Sequence, residues 1–443
     1  MSAEKTLPQS KPGLGNESFK LEPGERRSID INGKRLWERL GQLGEIGAFD
    51  DTRTGERGVC RLALTDAEIE GRNLVEKWMR DAGLSVEHDA IGNVYARREG
   101  RRPQLPAVMI GSHIDTVGTA GRFDGCLGVL GGLEVVERLD EENIETERSI
   151  IVAYFTDEEG VRFGTDMLGS ATAVGRLDLQ WALGRRDRDG VSVEEELKRH
   201  NATGHASLLT QAPPHSYLEC HIEQGPILLE EGKQLGVVTG VQGISWWRIV
   251  IGGSAAHAGC TPMGLRRDAG LALALLRAGM WELTKQIPGL LCNFGYLSTT
   301  PGLVNVIPDT ASATIDLRNP DEDKLVDAEN TMRELIAAIL KETGCELLDL
   351  EQTARTQPIS FHKAIVDAVE DEIAERGIET MRIVSGAGHD AQEVASIAPA
   401  GMIFVRGQNE GVSHSPREYS TLEDCAAGVS VLATLTLKLA NQV

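Results

Sequence analysis

Four short segments concentrate histidine and carboxylate side chains at spacings that can hold divalent cations. The first is Gly111-Ser112-His113-Ile114-Asp115, followed by Gly121-Arg122-Phe123-Asp124-Gly125. The second is Thr156-Asp157-Glu158-Glu159-Gly160, the third Glu219-Cys220-His221-Ile222-Glu223-Gln224-Gly225, and the fourth Gly411-Val412-Ser413-His414-Ser415-Pro416. Histidine and carboxylate donors without thiolate suit zinc, manganese, cobalt or nickel. A hydrolytic site with two ions needs a carboxylate between them, terminal ligands on each, and open positions for water and substrate. His113 and Asp115 lie two apart on an extended segment and so share one side. His113 can therefore ligate while Asp115 fixes its tautomer from behind. Asp124 sits in a glycine-rich loop, where one carboxylate can face two ions. Of the adjacent Glu158 and Glu159, one can ligate while the other takes a proton from an activated water, its pKa raised by burial and lowered by cations.

Each segment alone has a plainer reading. One histidine after a strand is usually a satisfied polar residue, and Glu158-Glu159 alone is usually a solvated face. The glycines from Gly125 to Gly132 lack GxGxxG spacing, so they read as a helix start packed closely on a sheet, and a dehydrogenase is set aside. His88, His200, His205, His215 and His362 lie in polar contexts and read as surface residues. What separates the four clusters from this background is their setting. Three of them follow apolar runs that read as buried strands: Ala107 to Ile110, Ile150 to Phe155 and Gly401 to Val405. In open α/β sheets, chemistry collects past the carboxyl ends of such strands.

Those strands alternate with helical patterns, giving an α/β chain. The middle differs. Trp246 to Ile251 reads as a strand and Arg266 to Ile287 as a helix. Ser312 to Arg318 alternates, with Ser312, Thr314, Asp316 and Arg318 on the polar face. Asp321 to Thr343 is helical and ends near Gly344. The expectation is an inserted α+β domain over 240–350, dividing a catalytic domain into 28–239 and 351–443. Phe361 to Arg376 reads as a helix, and Ser420 to Glu423 as a capping box opening the last one.

Composition narrows the function. The 443 residues include 45 basic and 67 acidic ones, a formal net charge of −22. That acidity excludes nucleic acid and anionic membrane as partners, because both need a basic footprint. No apolar run approaches a membrane span of roughly 18 residues. The polar opening, 1–27, has no apolar signal core and reads as a disordered tail. Seven scattered cysteines without CxxC argue for a reducing cytoplasm rather than a disulfide framework.

From about Leu36 onward the chain resembles the dinuclear-zinc amidohydrolases of the aminoacylase and carboxypeptidase superfamily. The branch it is most similar to contains N-carbamoyl-L-amino-acid hydrolases, β-ureidopropionases and allantoate amidohydrolases. The resemblance rests on GSHIDTV, GRFDG, TDEEGVRFG, ECHIEQGP, GVQGISWWRI, HAGCTPM, NVIP, DLR, SGAGHDAQ and GVSHSP. It implies a zinc-peptidase-like catalytic domain, a mixed sheet flanked by helices, and an inserted dimerisation (lid) domain.

It also implies two divalent ions per subunit, zinc foremost. His113, Asp124 and His221 would hold one, and Asp124, Glu159 and His414 the other, with Glu158 as general acid and base. His257, Asn305 and Arg318 would contact substrate, with Gln224 and the Gly386 loop close by. His257 would stabilise the oxyanion and can act across a homodimer interface. A guanidinium fork such as Arg318 suits an α-carboxylate. The implied reaction is hydrolysis of a linear ureide on a carboxylate-bearing small molecule, foremost an N-carbamoyl-L-amino acid, with allantoate, ureidoglycolate or N-carbamoyl-β-alanine as the alternative substrates. An aminoacylase or dipeptidase ranks below, since such relatives usually carry a carboxylate where His221 stands. A silent metal-binding protein ranks last, since all six positions proposed as ligands and base are present. Two departures stand out. Cys260 replaces a threonine of the usual HAGTTPM, and otherwise reads as a buried structural thiol. Phe163-Gly164 replaces the Phe-Pro of allantoate enzymes.

Overall fold

The computed structural model describes residues 19–21 and 27–442. Most of the tail expected over 1–27 lies outside them. The described chain divides into two compact units: one covers 241–359, and the other combines the segments up to 240 and from 360 onward.

The larger unit is built on a nine-stranded mixed sheet flanked by helices. Four neighbouring strands at its centre are parallel, in the order Ala400–Val405, Ser216–Ile222, Val108–His113, Ile150–Phe155. Every residue of Val108–His113, Ser216–Ile222 and Ala400–Val405 is buried. Strands covered on both faces must read as continuous apolar runs, which is how two of these announce themselves in the sequence. Antiparallel strands extend both sides: Leu235–Val241 beside Ala400–Val405, and Val94–Arg98 then Ser85–His88 beyond Ile150–Phe155.

The Cys126–Glu141 helix packs on the central strands. A Cβ at Gly128 would meet the Cys220 carbonyl oxygen and Ser112 Cβ, both at 2.8 Å, so this glycine lets the helix approach the sheet. Leu127, Leu130 and Leu133 on that helix are fully buried, each contributing about 2 kcal/mol. The last helix, Leu422–Ala440, packs on the same sheet. Its cap is shifted by one residue from the expected box: Thr421 accepts the Asp424 N–H at 3.0 Å.

The smaller unit is a four-stranded antiparallel sheet in the order Leu291–Thr300, Thr310–Asn319, Gly243–Gly252, Glu346–Thr356. Two helices, Ala269–Gln286 and Glu322–Thr343, cover one face. Ala311, Ala313, Ile315 and Leu317 join Trp247, Ile249 and Ile251 in the core, so the alternating face is as the sequence has it. Asp321 caps the second helix, and Gly344 ends it at φ 65°, a left-handed turn that favours glycine. The fourth strand carries this unit past residue 350.

Of the five histidines read as surface residues, only His205 is exposed. His88, His200, His215 and His362 are half-buried, and three of them make side-chain bonds. His88 Nε2 lies 3.0 Å from Glu76, His215 Nε2 lies 3.2 Å from Gln442, and His362 Nδ1 accepts the Ala364 N–H. Cys260 is exposed rather than buried, and all seven cysteines are free. Among the described residues, no helix is long and apolar enough to cross a membrane.

Candidate metal centre

All four clusters converge at the carboxyl ends of the four parallel strands. His113 closes Val108–His113, His221 lies near the end of Ser216–Ile222, Asp157 to Glu159 follow Ile150–Phe155, and His414 lies in the loop after Ala400–Val405. Parallel alignment makes these ends neighbours.

Asp124 is the hub. Its Oδ1 faces His221 Nε2 at 3.2 Å and His113 Nε2 at 3.5 Å. Its Oδ2 faces His414 Nε2 at 3.7 Å. The trios His113–Asp124–His221 and Asp124–Glu159–His414 each hold their ligand atoms within 4.8 Å of one another. One carboxylate thus offers one oxygen to each trio. His414 Nε2 also lies 3.3 Å from Glu159 Oε2. Oδ1 of Asp124 and Oε1 of Glu159 are buried with no hydrogen-bond partner, a costly arrangement unless a cation completes it.

The ring orientations are fixed from behind. His221 Nδ1 donates to the Ile222 carbonyl at 2.8 Å, and His113 Nδ1 to the Asp115 carbonyl at 3.0 Å. In each ring Nε2 faces the centre, and that of His221 also accepts the Gly125 N–H at 3.0 Å. The Asp115 group that takes the His113 proton is its backbone carbonyl, with the carboxylate oxygen Oδ1 farther off at 3.7 Å. Its carboxylate accepts the N–H groups of Glu158 and Glu159, each at 3.3 Å, and so shapes the turn that presents both glutamates. Gly125 has φ 64°, and a Cβ there would collide with the His113 ring. Only glycine gives this loop both the backbone and the space.

Electrostatics follow from burial and crowding. Burial pushes Glu158 well above the ordinary carboxylate range; Asp390, Glu159 and Asp115 add to this and His113 opposes it. Its Oε2 stands 3.4 Å from His113 Nε2. Burial disfavours a charged His113, yet Glu158, Asp124, Asp115 and Glu159 together raise it well above the usual histidine value. The hydrogen bond to Glu159 carries His414 up to about 9.

Gln224, expected close to substrate, also holds the centre itself. Its Nε2 donates to Asp124 Oδ2 at 2.8 Å, from a residue at φ 58°. Gly386 lies in the exposed loop after the Thr380–Ser385 strand. His257 and Asn305 are side by side in the smaller unit: Ala258 N donates to the Asn305 carbonyl at 2.9 Å, and His257 forms a bridge with Val306. Arg318 is half-buried on the Thr310–Asn319 strand, with its Nη2 2.9 Å from Asp316 Oδ2. The structure does not bring Arg318 to His257. Arg318 pairs with Ile244, whereas Thr310 pairs with Gly252 at the end that leads to His257.

Three buried residues here were not singled out from the sequence. Glu219 Oε1 accepts Ser112 Oγ at 2.6 Å and its Oε2 accepts Ala391 N at 2.9 Å. His389 stacks edge-on against His221 with centroids 4.6 Å apart, its Nε2 on Ser385 Oγ. Glu219, His221 and His389 also lie close enough together to hold a cation, but both oxygens of Glu219 and Nε2 of His389 already have hydrogen-bond partners. Glu418 is the third. SGAGHDAQ did contain His389, and ECHIEQGP did contain Glu219, without a role for either; nothing local marked Glu418.

The chain is similar to known proteins over most of its length. Residues 109–438 match the Peptidase family M20/M25/M40. An N-carbamoyl-L-amino acid amidohydrolase of Geobacillus stearothermophilus is 39% identical over 93% of this chain and 99% of its own. A ureidoglycolate hydrolase of Arabidopsis thaliana is 33% identical over 94% of this chain and 90% of its own. The crystal structure of an amidase of the hydantoinase/carbamoylase family from Burkholderia multivorans superposes with a TM-score of 0.89 at 41% identity, covering 94% of this chain and 99% of that one. These likenesses span the strand ends that carry all four clusters, and the chain belongs to the metal-dependent peptidase family M20/M25/M40.

Proposed function

We propose that this protein hydrolyses the N-carbamoyl C–N bond of an N-carbamoyl-L-amino acid, giving the amino acid, CO2 and ammonia. The observation that carries the reading is Asp124, which offers one oxygen to each of two histidine-carboxylate trios beside a buried glutamate that belongs to neither. The ureide specificity rests on the relatives, of which the Geobacillus enzyme is similar over nearly its full length.

Two divalent cations fit this donor set, zinc foremost, with manganese, cobalt or nickel compatible. His113, Asp124 and His221 hold one; Asp124, Glu159 and His414 hold the other. When bound, cations there would supply Lewis acidity toward a ureide carbonyl and lower the pKa of water toward about 7. Glu158 takes a proton from the attacking water and returns it to the leaving nitrogen. A carboxyl group kept from bulk water accepts that proton more readily than an exposed one. Gln224 steadies Asp124, and Asp115 sets the turn that aims Glu158. Arg318 anchors the substrate carboxylate, and His257 and Asn305 stabilise the tetrahedral oxyanion.

The inserted unit serves as the dimerisation domain. Its Leu291–Thr300 strand is a sheet edge with Leu291, Tyr296 and Leu297 exposed. The adjoining Ala269–Gln286 helix exposes Leu271, Ala274, Ala278 and Trp281 along one face. An open strand edge beside an apolar helix stripe suits a second copy of this chain. Arg318 and Thr310 are eight residues apart on one strand, about 27 Å at ~3.4 Å per residue. One small substrate cannot span from Arg318 to the His257 end, so His257 serves the partner's substrate. A cytoplasmic location suits the seven free cysteines.

The test is ammonia release by stripped protein reloaded separately with zinc, manganese or cobalt. The panel is N-carbamoyl-L-amino acids, N-carbamoyl-β-alanine, allantoate and ureidoglycolate, with N-acetyl-amino acids and dipeptides as controls. Metal-dependent ammonia from the carbamoyl amino acids is expected. Preference for ureidoglycolate would favour the second reading, which the Arabidopsis relative supports. Cleavage of the controls alone would reject both.

A further inference from the structure

Glu418 lies beside the metal centre without being one of its proposed ligands. It is buried, and its Oε1 accepts two backbone N–H groups, Phe123 at 2.8 Å and Asp124 at 3.2 Å. Its Oε2 lies 2.9 Å from Ser413 Oγ, and the same hydroxyl lies 2.7 Å from Asp124 Oδ2. One side chain therefore grips the loop carrying Asp124 by its backbone and, through Ser413, by its carboxylate. Ser413 immediately precedes His414, so the loop carrying that ligand is held by the same group. A second tie runs beside it, from Thr119 Oγ1 to the His414 carbonyl at 3.2 Å. The approach is close: a Cβ at Gly121 would fall 2.5 Å from Glu418 Cβ, so only glycine admits the glutamate here.

The two loops come from segments about 290 residues apart, and no named strand or helix contains either Asp124 or His414. His414 is half-exposed and sits at φ 54°. The trio that includes it thus lacks the rigid strand support given to His113 and His221. Carboxylate ligands need such outer hydrogen bonds to hold one orientation.

We propose that Glu418 is a positioning residue that sets the rotation of Asp124 and its spacing to His414, and so governs how tightly the Asp124–Glu159–His414 trio holds its ion. This rests on the two-ion reading above. The geometry asks of residue 418 one oxygen for two N–H groups and one polar atom for the Ser413 hydroxyl. A glutamine supplies both: its carbonyl takes the N–H groups, and its amide N–H donates to Ser413 Oγ, whose own proton goes to Asp124. Charge at 418 is not required; length and hydrogen bonding are.

The experiment compares wild type, Glu418→Gln, Glu418→Ala and Ser413→Ala as full-length, stripped proteins. Zinc stoichiometry and the two stepwise affinities are read by competition with a chromophoric chelator, and the thermal midpoint of each metal-free protein is recorded. Wild type and Glu418→Gln are expected to bind two ions alike. Glu418→Ala should weaken one ion by about 10- to 100-fold while leaving the other near wild type. Ser413→Ala cuts only the link to Asp124 and should weaken the same ion, which decides the matter if Glu418→Ala does not fold. A purely structural role would lower the metal-free midpoint without separating the two affinities, and that result would overturn the proposal. So would a glutamine variant as defective as alanine. Wild type that binds no pair of ions would reject the two-ion reading itself, and this proposal with it.

Discussion

His221 Nε2 stands 3.2 Å from Asp124 Oδ1 while the opposite nitrogen of the ring is committed to the Ile222 carbonyl at 2.8 Å. Gly125 N–H donates to that Nε2 at 3.0 Å, and a cation would join the two acceptor atoms more strongly. A proton can fill the gap, and so can a metal ion.

Proton and metal therefore compete. The metal-free protein holds His221 and His113 above the usual histidine value, with His414 at about 9. In each case neighbouring carboxylates prefer the charged ring. At about 9, His414 carries its proton at neutral pH, and any proton on a ligating nitrogen must leave before metal binds. Metal affinity should rise from pH 6 to pH 8.5 and be accompanied by proton release. Calorimetry in buffers of different ionisation enthalpy measures both. Affinity independent of pH would mean that these rings are not ligands.

Gly125→Ala should damage the centre more than the fold around it. The new Cβ meets the His113 ring, and the backbone must also hold φ near 64°. We expect a stability loss of about 1–3 kcal/mol with metal binding lost or severely weakened. Thermal unfolding with and without zinc reads the two effects, and wild-type stabilisation by zinc in this variant would contradict the geometry.

Arg318→Ala should raise KM about 10- to 100-fold for carboxylate-bearing ureides, the worth of a charge-assisted bidentate contact, with a much smaller change in kcat. The guanidinium already engages Asp316, so it is oriented before substrate arrives. Steady-state kinetics decide this, and an unchanged KM would place the anchor elsewhere.

Mixing two inactive variants tests the shared site. Glu158→Gln and His257→Ala should each be nearly inert. If His257 serves the partner, a mixed dimer carries one fully native site, and random exchange should restore about a quarter of wild-type turnover. If both residues serve the same subunit's site, no mixture recovers activity.

Much of this centre was legible because its ligands follow strands buried on both faces. Such strands are continuous apolar runs, and parallel alignment brings their ends together without further information. Hence His113, Glu159 and His414 could be gathered although about 300 residues separate them. What did not show was tertiary hydrogen bonding. Asp115 uses its carbonyl for His113 and its carboxylate for the glutamate turn, a division that no spacing encodes. Gln224 turned out to hold Asp124. Glu219 is a charged residue inside a fully buried strand, and its partners Ser112 and Ala391 come from distant segments. The cap of the last helix falls one residue after the expected box, and is a one-way cap, because Thr421, not Ser420, aims its hydroxyl at the helix.

The most direct measurement is turnover and metal content of Glu158→Gln on the preferred N-carbamoyl amino acid. On the proposal that Glu158 lies beside the trios and moves the proton, the variant should fold, keep both ions at wild-type stoichiometry, and lose roughly 100-fold or more in kcat. Near-normal turnover with both ions bound would show that another group moves the proton.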